Sequence, residues 1–335
     1  MLTIARKKLF PSNDNLKKVL FAFIIVVTIF FLLHPGRFAS SDYPSIKHDK
    51  IAEELDPSPH ALLIVKESDE FLCPLIPENI ENSLQFPKGP ASDSDMQNLS
   101  HTLKIEKGGA WRPSDCVSQH DVAIVVPYRN RTIQLNTFLP YMHQYLQKQK
   151  INYRIFIVEQ SMQEAFNRAK LLNIGYVEAL KHFPFHCFIF HDVDLIPQKL
   201  SNIYGCTHQP RHMSSSLNTF RYKLPYYELF GGVVAILKTQ FELVNGFSNI
   251  FFGWGGEDDD FYSRIVNKGM SICRFPPDIA RYTMLTHEKE SPSTNRFQNL
   301  ESGRDRFETD GLNTLKYTVK KIVYFPLYTG ILVDI

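Results

Sequence analysis

Two acidic clusters carry the strongest chemical signal in the 335-residue sequence. Asp192 and Asp194 lie two apart in CFIFHDVDLIP (187–197), behind an apolar run that reads as a buried strand. At the end of a strand that spacing projects both carboxylates to one side. Two like charges so placed are costly unless a cation sits between or beside them, and an oxygen-rich site that also receives a diphosphate suits Mg2+ or Mn2+. A solvated turn is the competing reading, which the preceding FIF weakens.

The second cluster is Gly253-Trp254-Gly255-Gly256-Glu257-Asp258-Asp259-Asp260, followed by FYSRIVNKG. Acids in the first turn of a helix complement its dipole, but that accounts for one or two of them and not for four behind W-G-G. Crowded carboxylates push some pKa values upward, which suits a general base that must take a proton from a sugar hydroxyl. Glycines let backbone approach a ligand, and Trp254 offers a flat apolar face for a sugar ring. Arg129, Arg131 and Arg168 each follow a strand-like run, where they could meet phosphate oxygens or simply lie on the surface. Met284 and His287, in RYTMLTHE, are unremarkable by themselves.

The elements that must position these residues alternate. DVAIVVPY (121–128), YRIFIVEQ (153–160) and CFIFHDVDLIP (187–197) read as strands, and 131–150 and 166–180 as helices. That order predicts an α/β sheet with right-handed crossovers, whose ligands bind beyond the carboxyl ends of the strands. PYRNR and DVD both fall there. No G-x-G-x-x-G follows the first strand and no P-loop motif occurs, so dinucleotide and P-loop chemistries are disfavoured.

Lys+Arg 37 against Asp+Glu 35 leaves a formal charge of +2, which gives no general drive towards nucleic acid. Near the N-terminus, Val19 to Leu33 is an uncharged apolar run preceded by Arg6, Lys7, Lys8, Lys17 and Lys18. The positive-inside rule keeps such a tail cytosolic and the rest lumenal. The run spans only about 22 Å, short of a ~30 Å hydrocarbon core, which suits a thin membrane such as the early Golgi. A cleaved signal peptide is disfavoured by the long basic region and the poor small-x-small site in LLHPGRFAS. The expected organisation is a cytosolic tail (1–18), a transmembrane signal anchor (19–33), a stem rich in Ser, Asp and Pro (34–107) and a catalytic domain (108–335) to which the Cys73 segment is tied. Five cysteines in an oxidising lumen predict two disulfides and one spare thiol.

PYRNR (127–131), FNRAKLLNIGY (166–176), FHDVDLIP (190–197), FGGVVAILKTQF (230–241), GWGGEDDDFYSRI (253–265) and the C-terminal DGLNTLKY…FPLYTGILVDI together resemble the β-1,4-galactosyltransferase family (glycosyltransferase family 7) over residues 70–335. The resemblance implies a Golgi type II enzyme of GT-A fold, a Rossmann-like mixed sheet flanked by helices, that uses a UDP-sugar and Mn2+ and inverts the anomeric carbon. It makes Asp194, Met284 and His287 the metal ligands and Asp258 the catalytic base. It places Glu257 and Trp254 at the donor sugar, and Pro127, Arg129, Arg131, Phe166, Arg168, Val193 and Gly232 around the UDP-sugar. Tyr226, Asp259, Arg296 and Phe297 correspond to acceptor positions, and the segment from His287 to Arg306 would close over the donor. The family's disulfides correspond to Cys73 with Cys116 and Cys187 with Cys206, leaving Cys273 free.

Two positions depart from the vertebrate pattern. Leu229 stands where those enzymes have a tyrosine that limits space at the donor's 2-position, a pattern resembling the invertebrate N-acetylgalactosaminyltransferase branch. The expected donor is therefore UDP-GalNAc, with UDP-Gal the alternative, and the acceptor a terminal GlcNAc. Thr219 replaces a common donor-site lysine. GWGGEDDD resembles the GlcNAc or glucose users more than the xylose user. An inactive lumenal glycan-binding protein is the reading from a different class.

Overall fold

The computed structural model describes residues 13–33, 43–67, 70–78, 80, 84–161, 164–288 and 291–335. Its strands are β1 (Ala110–Trp111), β2 (Asp121–Tyr128), β3 (Asn152–Gln160), β4 (Cys187–His191), β5 (Leu195–Pro197), β6 (Arg211–His212), β7 (Ser216–Leu217), β8 (Val233–Leu237), β9 (Arg281–Met284), β10 (Thr318–Tyr324) and β11 (Thr329–Asp334). Eight of them form one mixed sheet in the order β10-β11-β3-β2-β4-β8-β6, with β1 on β3, and β5-β9-β7 form a smaller second sheet. Strands β11, β3, β2 and β4 run parallel, while β8 returns antiparallel to β4.

The apolar run of β2 is buried along its whole length, as a strand covered on both faces requires. Val122, Ile124 and Val126 face the Thr132–Lys148 helix, packing with Phe138, Leu139, Met142 and Leu146. Ala123 and Val125 face the Arg168–Leu180 helix and pack with Leu171, Leu172 and Ile174. At Gly175 that second helix comes so close that a β-carbon would lie 2.2 Å from Val125 Cγ1.

The expected strand over 187–197 is in fact two. Chain leaves the main sheet after His191, turns through Asp192–Asp194 with Leu195 N–H donating to Asp192 C=O (3.2 Å), and enters the second sheet. The turn therefore stands at the carboxyl end of β4, where two sheets diverge.

The described residues of the segment expected as a stem, which begin at Tyr43, include several folded against the body. Ile51, Leu55 and Ala61 are buried, Leu55 bridges Thr207, Ser58 Oγ donates to Asp121 Oδ2 (2.5 Å), and Asp56 N–H donates to Cys206 C=O (2.9 Å). The Asp93–Thr102 helix opens with a reciprocal Ser92/Asp95 cap. The polar composition hid these few apolar anchors. Disulfides join Cys73 to Cys116 and Cys187 to Cys206, and Cys273 is a free thiol.

Among the described residues one helix, Asp14–Leu33, is long and apolar enough to cross a membrane. The helix itself begins at Asn13 and carries Lys17 and Lys18, so its 21 residues reach about 31 Å, of which the charged first turns must snorkel to the interface while the apolar part stays as short as the sequence implies. The tail before it lies outside the described residues.

A soluble fragment starting at Tyr43 is expected to melt cooperatively. One starting at Gly108 loses the buried Ile51–Ala61 contacts and the Cys73–Cys116 link, and is expected to melt at least about 10 °C lower or to precipitate. Scanning calorimetry of the two fragments checks this.

Candidate active site

The carboxyl ends of β2 and β4 open onto a cleft of about 150 Å³ lined by Pro127, Arg129, Arg131, Phe166, Arg168, Asp192, Val193, Asp194, Gly253, Trp254, Glu257 and His287. Every residue before Gly232 in the expected donor set except Leu229 lines it. Arg129 is held by the Glu164 carbonyl (2.7 Å) and lies 5.1 Å over the Phe166 ring, and Arg131 donates to the Glu288 carbonyl (2.5 Å).

The turn separates the two aspartates. Asp192 takes Arg168 Nε at 2.6 Å, whereas Asp194 Oδ2 lies 2.7 Å from His287 Nδ1. Both carboxylates do reach the same cleft, but the expected strand ends before them, so each finds its own partner. Met284 pairs in register with Leu195, the residue after Asp194, and Leu285 N–H donates to the Asp194 carbonyl (2.7 Å). The β5–β9 pairing thus brings the backbone of Met284 beside that of Asp194, and His287 reaches the Asp194 carboxylate. Among the described residues no group of three or more His, Cys, Asp and Glu side chains forms a metal cluster. A carboxylate and an imidazole in contact on the cleft lining are a donor pair that fits a divalent first-row ion.

The four consecutive acids stand at the head of the Glu257–Asn267 helix and, stepping about 100° per residue, point four ways. Glu257 Oε1 approaches Arg168 Nη1 (3.8 Å) in the cleft. Asp258 lies against the backbone of Gly231, where a β-carbon would meet its Oδ2 at 2.5 Å. Asp259 accepts from Tyr226 O–H (2.9 Å), and Asp260 pairs with the buried Arg264 (2.7 Å), which also donates to the Asp310 carbonyl (2.7 Å). Asp260 is therefore a structural anchor. The i,i+4 spacing of Asp260 and Arg264 is the sequence signal that could have separated it from its neighbours.

Burial, then the charges of Glu257 and Asp259, push the Asp258 carboxyl up to about 7. Burial raises Asp192 to about 6 against the pull of Arg168. Burial opposes the charge on Arg168, but Asp192 and Glu257 outweigh it and hold the guanidinium above its ordinary value. His287 is raised by its hydrogen bond to Asp194.

The segment preceding β8 closes one wall. Gly232 adopts φ 74°, and its carbonyl accepts from Asp192 N–H (3.1 Å) and from Arg168 Nη2 (3.3 Å). Leu229, half-buried, lies three residues earlier. Trp254 is 59% exposed and bridges Pro292; Arg296 lies over both Trp254 (5.5 Å) and Phe297 (4.7 Å). Tyr226, Asp259, Arg296 and Phe297 all lie outside the cleft lining, on its rim beside the acidic helix.

Residues 73–207 match the N-terminal region of glycosyl transferase group 7, and residues 211–288 match the N-terminal domain of galactosyltransferase. A β-1,4-galactosyltransferase 4 from Cricetulus griseus is 39% identical over 265 residues, 78% of this chain and 76% of that protein. The chain belongs to the β-1,4-galactosyltransferase family. Mouse β-1,4-galactosyltransferase 1 is 47% identical over 235 residues, covering 69% of this chain but 59% of the relative's own length. Among solved structures, the catalytic domain of Drosophila β-1,4-galactosyltransferase 7 with xylobiose is similar at TM-score 0.55 and 27% identity, covering 64% of this chain and 93% of that one. A mutant of that Drosophila enzyme, in complex with manganese, UDP-Gal and xylobiose, gives TM-score 0.51 and 28% identity over 64% of this chain and 93% of that one. In this family member the GT-A fold, with its mixed sheet flanked by helices, follows an N-terminal apolar helix.

The native state holds Asp258 protonated to about pH 7, while the unfolded chain ionises it near 4. Its contribution is neutral below pH 4, becomes destabilising as pH rises to 7 and stays so above. Asp258→Asn is therefore expected to leave stability unchanged at pH 4 and to raise it on the order of 2 kcal/mol at pH 8. Melting temperatures of both proteins across that range measure the divergence.

Proposed function

We propose that this chain is a membrane-anchored, inverting β-1,4-glycosyltransferase that moves galactose from UDP-Gal to the 4-hydroxyl of a terminal GlcNAc. The observation that carries the reading is Asp258: a carboxyl held near neutrality, packed on the bare backbone of Gly231, beside a cleft lined by three arginines. The relatives' names support galactose as the donor sugar.

In this reading Arg129, Arg131 and Arg168 meet the diphosphate with fixed donors, and Phe166, Pro127 and Val193 supply apolar contact to the nucleoside. Mn2+, held by Asp194, His287 and Met284, would neutralise charge on the departing UDP. Asp258 accepts the proton of the acceptor hydroxyl as its oxygen bonds to the anomeric carbon from the face opposite the phosphate. Glu257 and the face of Trp254 orient the donor sugar, while Tyr226, Asp259, Arg296 and Phe297 form the acceptor side. The chain between His287 and Arg306, which contains residues outside those described, would cover the donor and keep water from it. The anchor and its basic flank support a Golgi membrane protein of type II orientation with the body, from Tyr43 to Ile335, in the lumen.

Leu229 favours a second donor. An aliphatic side chain gives the donor's 2-substituent no hydroxyl partner and leaves room for an N-acetyl group, so UDP-GalNAc is the second reading.

The test is a matrix of UDP-Gal and UDP-GalNAc against GlcNAc, glucose and xylose, with Mn2+ supplied. Transfer to GlcNAc is expected, and absence of UDP release with every pair would mean a glycan-binding protein instead. Faster turnover of UDP-GalNAc would select the second donor, and Leu229→Tyr is then expected to shift preference towards UDP-Gal. Asp258→Asn is expected to cost about 10³-fold in kcat. The rate of the unsubstituted enzyme should fall tenfold per pH unit below about 7, since only the ionised carboxylate accepts the proton.

A further inference from the structure

Arg274 is among the largest fully buried side chains, at 1% exposure, and none of the groups that act on its charge among the described residues is a carboxylate. A buried cation without a counter-ion is expensive, and its donors must be spent on oriented dipoles. Its Nη2 donates to two carbonyls of one short segment, Tyr227 (2.6 Å) and Leu229 (3.0 Å). Its Nε donates to His212 Nδ1 (3.3 Å) on β6. The guanidinium is further enclosed by the rings of Tyr227 (5.1 Å) and Tyr43 (5.6 Å).

The segment so held carries Tyr226, whose hydroxyl reaches Asp259, and Leu229, and it runs directly into Phe230 and the Gly231 that packs on Asp258. Its far end is fixed independently: Phe230 is buried against Phe261 (5.8 Å). The near end is fixed by Arg274, whose hydrogen bonds act on backbone and so set where the side chain at position 229 stands.

We infer that Arg274 is a positioning residue for donor discrimination, fixing the Tyr226–Leu229 segment at the depth from which residue 229 screens the substituent at the donor's 2-position. The inference rests on the glycosyltransferase reading above, in which residue 229 screens the donor from beside the cleft, and adds Arg274 as the residue that holds it there. Tyr43 completes the enclosure, so the chain just beyond the membrane anchor contributes to the same support.

The experiment compares the full chain with Arg274→Met, Arg274→Lys and Leu229→Tyr. It measures kcat/KM for UDP-Gal and UDP-GalNAc with GlcNAc, affinity for UDP with Mn2+, and melting temperature. Arg274→Met is expected to move the ratio of the two donors about tenfold towards unity, as loss of charged hydrogen bonds to the segment would give. Arg274→Lys, able to reach one carbonyl but not to span both, moves it part of the way, and UDP affinity stays within about twofold in both. A purely structural role would lower the melting temperature and slow both donors equally, with the ratio kept. An unchanged ratio in either folded variant, while Leu229→Tyr shifts it, overturns this inference alone. If Arg274→Met does not fold, Arg274→Lys decides by the same ratio. If the unsubstituted chain turns over neither donor, the glycosyltransferase reading fails and this inference fails with it.

Discussion

Asp192 and Glu257 come to one wall of the cleft from two distant parts of the chain, with Asp258 just behind them, and Arg168 is the cation whose charge all three feel. Without it, three carboxylates in a half-buried site would have to give up charge or move apart. Arg168 pays for this position locally, since it opens the Arg168–Leu180 helix, where the dipole disfavours a cation. Asn167 caps the same turn through Lys170 N–H (2.9 Å) and ties it to the Asn249 carbonyl (2.7 Å), so the guanidinium is aimed by a rigid element. Its attraction for Asp192 also orients the turn between the sheets. From that turn follow the position of Asp194, the meeting of β5 with β9, and the approach of His287.

The same charge balance explains why one acid among several is set apart. Glu257 and Asp192 share the arginine. Asp259 has the Tyr226 hydroxyl and Asp260 has Arg264. Asp258 is left with backbone and burial, and its carboxyl is accordingly pushed up to about 7. The acids differ because the available partners are distributed unequally along one helical turn.

Much of this was legible in the sequence. Strand β2 matched its apolar run residue for residue, because burial on both faces leaves no ambiguity about where such a strand starts and stops. The long motifs identified the cleft residues, and the two disulfides formed as the resemblance implied. What stayed hidden depended on distant partners. The break after His191 is dictated by Arg168 and by the β9 strand nearly 90 residues further on, neither of which alters the local alternation of residues. The four acids looked equivalent because sequence reports their adjacency and not their directions. The folded state of residues beyond Tyr43 rests on isolated anchors such as Ile51, Leu55 and Ser58, too few to make a periodic pattern.

Gly231, Gly232 and Leu229 occupy one short segment but answer to different constraints. A side chain at 231 would collide with Asp258, and a φ of 74° with the Ser214 side chain nearby restricts 232 to glycine. Leu229 is bound through its carbonyl oxygen, an atom every amino acid possesses. The support therefore imposes no preference on what residue stands there. A substitution at 229 can therefore change what that side chain presents while the backbone that Asp258 packs on, two residues further along at Gly231, keeps its place.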